Sequence, residues 1–411
     1  MPAGKDCQGK ARGRSMPCYT GRMNEAVGNE TAGLARFLAE SRWEDVTDAV
    51  RHEGRRTILN CLGTALGGCR DEQVEHALAV LRPFSGPPEA VLIGRGERLD
   101  TLTAAFINAA AANLHDFCDT HMQTIIHSAA PVVPGALALG ERRHASGAQL
   151  LHAVILGVEA ECRVGNAVSP WHYAHGWHIT STCGAIGAAA AAGKLLGLDA
   201  PRMNAALALG ATQACGLLDS LGFMAKSVSV GNAPRGGIVA ALLALRAKHG
   251  LKAADVEHVT VRAHSLLQQR TDRPRPLLGR EAQVSLQHAA AMCFLHGAAG
   301  LRQFTDAMAA DPAAHAFGDR ISIENDDAMA VEAAKVTLRT VDGRTLAMDV
   351  AHALGSLGNP MSDAQIEAKV RGCAAFGAPG YDASPLIDAV WGLEKLKDAA
   401  ALAALLRGNA G

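Results

Sequence analysis

Residues 335–350, KVTLRTVDGRTLAMDV, decide the fold class because they place a β-hairpin in a chain that is mostly patterned as helix. Alternating apolar and polar residues flank the pair Asp342-Gly343, which favours tight hairpin turns. The pattern predicts a type I′ turn, with positive φ at both central positions. Strand-like alternation recurs at 256–262, VEHVTVR, and at 320–324, RISIE. A small sheet is therefore expected in this part of the chain.

Helical patterning dominates on both sides of this sheet. Residues 44–66 carry apolar side chains at near-helical spacing. Further predicted helices span 99–114, 146–163, 182–196, 201–217 and 232–249. After Gly355 the helical pattern returns and continues to Leu406. The sequence therefore predicts a mainly α fold, in which a large helical domain carries an inserted, smaller α+β lid domain.

The expected domain boundaries follow the change in patterning. Residues 24–250 form the first part of the helical domain, 251–352 the α+β lid, and 353–411 the C-terminal part of the helical domain. Residues 1–23 are basic and glycine-rich, have no apolar segment of the secretory type, and are expected to form a disordered tail.

The composition excludes several classes of function. The chain has 39 Lys and Arg against 40 Asp and Glu, a formal net charge of −1, whereas nucleic-acid binding needs a basic surplus. No apolar run reaches the roughly 18 residues of a membrane span. The ten cysteines are scattered without a CxxC pair, which is typical of reduced thiols in the cytoplasm. We expect a cytoplasmic protein with no nucleic-acid or membrane partner.

Residues 115–135, HDFCDTHMQTIIHSAAPVVPG, concentrate polar side chains between two Ala-rich helical patterns. Asp116, Asp119, Thr120, His121 and His127 lie within thirteen residues. A single aspartate here would be interpreted as a helix cap. Five such groups together favour a functional site.

Residues 170–184, PWHYAHGWHITSTCG, contain His172, His175 and His178 at three-residue spacing. A zinc triad is one interpretation, but this spacing carries the third histidine off the first one's helical face. Zinc motifs usually have an i,i+4 pair such as HExxH. We therefore expect no metal, and favour His178, at the entry of a helix whose backbone N–H groups can hold an anion.

Lys226 lies in residues 222–244, GFMAKSVSVGNAPRGGIVAALLA, and is the sole Lys or Arg between Arg202 and Arg235. A lone lysine is normally a solvated surface charge. Its apolar surroundings in the sequence instead favour a position in a cleft.

Taken in order, these three segments resemble the MmgE/PrpD family, which includes 2-methylcitrate dehydratase, cis-aconitate decarboxylase and an iminodisuccinate epimerase. Residues 116–135 resemble the family's DFDDTH…HPSAPVVPA element, 176–184 its G-[FW]-H-x-T-x-T-x-G element, and 225–236 its lysine-bearing TK element. Residues 58–68, 285–297 and 358–372 also fit family positions. The resemblance implies a helical domain with a smaller α+β lid, a homodimer, and chemistry without a metal or other cofactor.

Carried over position by position, the resemblance implies a polar site in the cleft between the helical domain and the lid. Its expected members are Asp116, Thr120, His127, His178 and Lys226. His288, in SLQH, matches a lid position that is tyrosine in some relatives and is expected to bind substrate.

This chain departs from the family pattern at three places, of which the loss of the proline of HPS, where residues 127–129 read HSA, is mild. Cys118 replaces the motif's second aspartate, and no K-x-Y-P-x-C-like element lies between the Lys226 segment and the first lid strand. In the decarboxylase that element supplies a lysine that contacts substrate. Its absence is consistent with a smaller substrate, a more open cleft or lost activity.

The implied chemistry is removal of a C–H proton next to a carboxylate of a small di- or tricarboxylate. Positive charge and hydrogen-bond donors would hold the developing enediolate. His178 or His127 would be the acid/base, and Lys226 would bind a carboxylate. Asp116 would orient a histidine or protonate a leaving hydroxyl, and Thr120 would position a carboxylate oxygen. We expect a dehydratase. The alternatives are an epimerase, a decarboxylase or a non-catalytic carboxylate-binding protein.

Overall fold

The computed structural model of the chain describes residues 30–214, 216 and 251–408. The expected tail, the predicted helix at 232–249 and Lys226 lie outside these ranges. The first range contains nine α-helices: α1 (Glu30–Glu40), α2 (Asp48–Gly68), α3 (Glu72–Leu81), α4 (Thr101–Asn113), α5 (Ala129–Arg143), α6 (Gly147–Val168), α7 (Trp171–Ala174), α8 (Ile179–Leu195) and α9 (Ala200–Thr212). A small antiparallel pair, β1 (Ala90–Val91) and β2 (Arg98–Leu99), interrupts them.

A four-stranded mixed sheet forms after residue 251. Its strands are β3 (Val256–Ala263), β4 (Ile321–Asn325), β5 (Ala334–Thr340) and β6 (Thr345–Val350), in the order β4-β3-β5-β6. Strands β3 and β4 pair in parallel, with Val259 opposite Ile321, while the other two pairs are antiparallel. Five short helices accompany the sheet: α10 (Ser265–Thr271), α11 (Gly279–Ala282), α12 (Leu286–His296), α13 (Asp306–Ala309) and α14 (Pro312–Gly318).

Three helices complete the described chain: α15 (Asp363–Gly377), α16 (Ser384–Trp391) and α17 (Ala399–Leu405). Their apolar faces pack into the same core as α2, α5 and α6, where Val370 and Leu402 join Ile58 and Val133. A separate core lies under the sheet and includes Val261. The predicted fold class, mainly α with a smaller α+β part, is confirmed. None of the described helices combines the length and apolar character that crossing a bilayer requires.

Glycines allow α2 and α15 to approach closely. A Cβ built at Gly63 would lie 2.8 Å from Val370, and one at Gly67 would lie 3.3 Å from Cys373. Side chains at these positions would push the two helices apart. The close contact brings Val370 and Cys373 of α15 against α2.

The hairpin at 335–350 is present, but the predicted turn type is wrong. Only Gly343 has positive φ, at 85°, while Asp342 does not. The N–H of Gly343 donates to Thr340 O at 3.0 Å, and the N–H of Thr340 donates to Arg344 O at 2.9 Å. Three residues therefore form the loop, and the glycine supplies the left-handed residue that a three-residue hairpin loop needs.

Candidate active site

The segment between α4 and α5 folds back on itself and forms the centre of the candidate site. Asp116 and Ile125 have φ of 51° and 56°, a left-handed conformation that is uncommon outside glycine. The N–H of Ile125 donates to His121 O at 2.7 Å, which closes a tight turn. This turn returns the chain so that His127, at the start of α5, lies beside residues 116–120.

The imidazole of His127 lies between a carboxylate and a thiol. Its Nε2 is 3.2 Å from Asp116 Oδ1, and its Nδ1 is 3.1 Å from Cys118 Sγ. Thr120 Oγ1 is 3.4 Å from the same Nδ1. The His127 side chain is 2% exposed and that of Asp116 is 13% exposed. The structure thus brings together Asp116, Thr120 and His127, and adds Cys118 to them.

His178 is the N-cap residue of α8 and lies close to the same segment. Its Nδ1 is 2.6 Å from Ser181 Oγ, and its N–H donates to Gly216 O at 3.0 Å. The N–H of His127 donates to Thr180 Oγ1 at 3.1 Å, which ties the start of α5 to the first turn of α8. The residues preceding His127 and following His178 pack together in one apolar cluster. Two histidines therefore lie at the adjoining starts of α5 and α8.

His172 and His175 have different partners from His178. The Nε2 of His172 is 2.7 Å from Thr182 Oγ1, and that hydroxyl is 3.2 Å from the carbonyl oxygen of His178. The exposed His175 stacks on Trp171, with ring centroids 4.0 Å apart. His172 therefore supports the backbone at His178, while His175 packs on the surface. Pro170 and Gly176 flank the four-residue helix α7 rather than a fully irregular loop.

Of the remaining predicted residues, Lys226 lies outside the described ranges and His288 lies on a different element. His288, on α12, is 2% exposed, and its Nε2 donates to Gln303 O at 2.7 Å. Its ring also lies 5.4 Å from the ring of Phe304. These contacts lie within the α+β part of the chain. Its expected contact with substrate, like the role of Lys226, stays a prediction.

Lys369, on α15, is a site residue that sequence reasoning missed. Its Nζ lies 4.0 Å from the ring centroid of Phe117. Burial lowers the pKa of Lys369, while the charges of Cys373, Cys118 and Asp119 act in the opposite direction. The signal was present in the sequence, because Lys369 follows Ile366 by three residues and precedes Cys373 by four. A lysine on the buried stripe of a helix is unusual.

Two acids, the half-buried Asp119 and the buried Glu161, lie near this group. Burial raises the pKa of Asp119, against the opposing effect of the Lys369 charge. Glu161, on α6, is fully buried, and neither of its carboxylate oxygens has a hydrogen-bond partner among the described residues. Burial raises the pKa of Glu161 well above its usual value, and the charge of Asp119 adds to that effect.

One group in the described ranges has the composition of a metal-ligand set. The donor atoms of Asp116, Cys118 and His127 lie within 4.8 Å of one another. Thiolate, imidazole and carboxylate are ligands that zinc takes. However, the thiol and the carboxylate face opposite ring nitrogens of His127, so no single imidazole lone pair points at both. The geometry favours a row of ionisable groups in contact over a mononuclear metal site.

Comparison with known families identifies the chain. The model described as the MmgE/PrpD N-terminal domain matches residues 32–258, and that of the MmgE/PrpD C-terminal domain matches residues 237–395. The chain belongs to the MmgE/PrpD family. The resemblance inferred from the motifs is confirmed.

Several individual relatives are cis-aconitate decarboxylases. The protein from Aspergillus terreus (strain NIH 2624 / FGSC A1156) is 31% identical over 236 residues, which cover 56% of this chain and 48% of the relative. The mouse protein is 30% identical over 237 residues, with the same coverage of each chain. This chain thus spans about half the length of these relatives. The human protein is 25% identical over 441 residues, covering 88% of this chain and 91% of its own length.

Proposed function

We propose that this chain is a cofactor-independent lyase that removes a proton next to a carboxylate of a small hydroxy di- or tricarboxylate and eliminates water. The observation that supports this proposal is the row Asp116–His127–Cys118 beside the His178 end of α8. These groups can accept, donate and stabilise charge at one place. Family membership supports lyase-type chemistry of this class.

His178 is the proposed general acid/base. Ser181 fixes its Nδ1, which sets the orientation of the ring. In His127, by contrast, the two ring nitrogens each lie close to a protein partner. The pair of His127 and Asp116 is proposed to hold the leaving hydroxyl or a substrate carboxylate. Thr120 and Lys226 would position carboxylate oxygens, and α8 would present its N-terminal backbone N–H groups to an anion.

The test is proton NMR of the purified protein in D₂O with hydroxy di- and tricarboxylates. Deuterium should appear at the carbon next to a carboxylate, with formation of an unsaturated acid. Because a positioned acid/base contributes about 10²–10⁴-fold, His178→Ala should slow exchange by a factor in that range. His175→Ala is the matched control, since His175 lies exposed in the same segment, and it should leave the rate unchanged.

The outcomes separate the alternatives. Exchange without loss of water would indicate an epimerase. Binding of these acids without any exchange would indicate a non-catalytic carboxylate-binding protein. Equal rates for the two histidine variants would remove His178 from the role of acid/base.

Decarboxylation is the second candidate function, and it is favoured because the relatives described above are cis-aconitate decarboxylases. With cis-aconitate carrying ¹³C in its carboxylates, a decarboxylase would release labelled CO₂ and place one solvent deuterium on the product. A dehydratase acting in reverse would add D₂O and release no CO₂. The same NMR experiment distinguishes the two reactions.

The assembly and the location of the protein are also proposals. We infer a cytoplasmic homodimer in which residues 251–352 act as a lid over the helical domain. Light scattering of the purified protein tests the dimer, since the monomer has a mass of 42.7 kDa.

A further inference from the structure

The side chains of Cys118, His127 and Asp116 lie in a row of thiol, imidazole and carboxylate. Cys118 Sγ lies 3.1 Å from His127 Nδ1, and His127 Nε2 lies 3.2 Å from Asp116 Oδ1. In this arrangement the imidazole takes the thiol proton and the carboxylate stabilises the resulting imidazolium. We propose that Cys118, His127 and Asp116 form a nucleophilic thiol centre that takes soft electrophiles bearing a carboxylate. The proposal concerns residues of the proposed lyase site, but it does not require that the lyase reaction takes place there.

The charged groups around Cys118 act in both directions, since the Asp116 carboxyl lies within 4.8 Å of the thiol and opposes a thiolate. Lys369 approaches from α15, and its positive charge interacts with Cys118. Asp119, next in the chain, opposes a thiolate less than an ordinary aspartate would, because burial raises the pKa of Asp119. Cys61, on α2, stays a neutral thiol because burial raises its pKa well above the usual value. Cationic neighbours of this kind are what lower the pKa of reactive cysteines.

Two further observations bear on access and hydrogen bonding. Of the seven free cysteines in the described ranges, five are buried, and Cys118 and Cys162 are half-buried. The side-chain amide of Asn113 lies 3.8 Å from Cys118 Sγ and carries both an acceptor and a donor end. Burial raises the pKa of Cys162 to about 12, and the charge of Glu161 adds to that effect. Cys162 is therefore an internal control, because it is half-buried like Cys118 but is expected to be unreactive.

The reaction with a haloacid balances simply. The sulfur lone pair of Cys118 forms a bond to the methylene carbon of iodoacetate, and iodide leaves with the bonding pair. The thiol proton stays on His127, and no oxidant or reductant takes part. The neutral analogue iodoacetamide reacts in the same way but lacks the carboxylate that the imidazolium and Lys369 would attract.

The experiment measures alkylation of each cysteine in the full chain by peptide mass spectrometry. The rate at Cys118 with iodoacetamide should change by less than about threefold between about pH 6 and about pH 8, since the thiolate is already formed. An ordinary thiol, with a pKa near 8.5, would lose about tenfold in rate for each pH unit. The ratio of the iodoacetate rate to the iodoacetamide rate should be at least about tenfold higher for Cys118 than for free glutathione.

Variants assign the partners. His127→Gln should return Cys118 to the steep pH profile of an ordinary thiol, and Asp116→Asn should do so in part. Replacing a buried imidazole can disturb the fold. The ultraviolet absorption of the thiolate, taken as wild type minus Cys118→Ser across the same pH range, is therefore a second measure that leaves His127 in place.

Four results would overturn the proposal. The first is an ordinary pH profile at Cys118 in the wild type, and the second is reactivity of Cys118 as low as that of Cys162. The third is a ratio of iodoacetate rate to iodoacetamide rate at Cys118 that is no higher than that of free glutathione. The fourth is stoichiometric zinc that is lost in Cys118→Ser, which would make the row a metal site instead.

Discussion

At the residue scale, burial sets the charge states of several side chains behind the candidate site. It raises the pKa of Glu161 well above its usual value and the pKa of Cys183 to about 11. It also lowers the pKa of Lys369. Neutral forms of Glu161 and Cys183 are thereby favoured in the interior between α6 and α8. The row of Asp116, Cys118 and His127 lies at the edge of this neutral region.

Glu161→Gln should stabilise the protein at neutral pH. A carboxyl whose pKa is raised in the folded state favours folding most below its unfolded pKa, near 4.5, and that contribution is lost as pH rises. Glutamine keeps the shape and removes the titration. We expect a gain of about 1–3 kcal/mol at neutral pH that disappears near the unfolded pKa. Urea unfolding at a series of pH values measures it.

Glu159→Gln is the matched control on the same helix. Its side chain is 44% exposed and pairs with Arg163, also exposed, so its loss should change stability by less than about 0.5 kcal/mol. If the free energy of unfolding differs between Glu161→Gln and wild type by the same amount at every pH, titration of Glu161 is not the cause of the difference.

At the element scale, the periodicity of apolar residues predicted the helices and strands whose formation depends on local sequence. The long helices α2, α4, α6 and α8 and the strands of the sheet lie close to their expected positions, because apolar spacing selects one buried face. The helix predicted at 201–217 ends at Thr212. Helices α3 and α5 and the pair β1–β2 were not predicted. In α5, Pro131 and Pro134 weakened the helical signal, although a proline in the first turn is tolerated.

Gly377→Ala should destabilise the contact between α15 and α2. A Cβ at Gly377 would lie 2.1 Å from Leu66 O, a backbone atom that cannot move away alone. Overpacking of this kind costs about 1–3 kcal/mol. On the same helix, Gly372 has nothing within 4 Å of an added Cβ. Gly372→Ala should therefore stabilise the protein by about 0.5–1 kcal/mol through helix propensity. Thermal melting of both variants compares them, and equal shifts would contradict the packing argument.

At the scale of the whole molecule, the candidate site joins parts of the chain that are distant in sequence. The polar segment at 116–127 could be recognised because its residues are clustered and fit a family motif. Lys369 could not be assigned in the same way, since its place beside Phe117 depends on how α15 packs on α2. Nor could the pairing of Cys118 with His127, which requires the tight turn at Ile125. Long-range packing, rather than local pattern, builds these contacts.

Lys369→Met tests whether this distant helix supplies the positive charge of the site. Methionine fills a similar volume without the ammonium group, so the preference of Cys118 for iodoacetate over iodoacetamide should fall by about tenfold, towards that of free glutathione. The unfolding temperature should stay equal or rise, because a partly buried lysine carries a desolvation cost that methionine lacks. Lys395→Met, at an exposed position after α16, should change neither quantity. The contrary result is that Lys369→Met destabilises the protein but leaves the iodoacetate preference of the folded fraction unchanged. Lys369 would then stabilise the packing of α15 and would not supply the charge of the site.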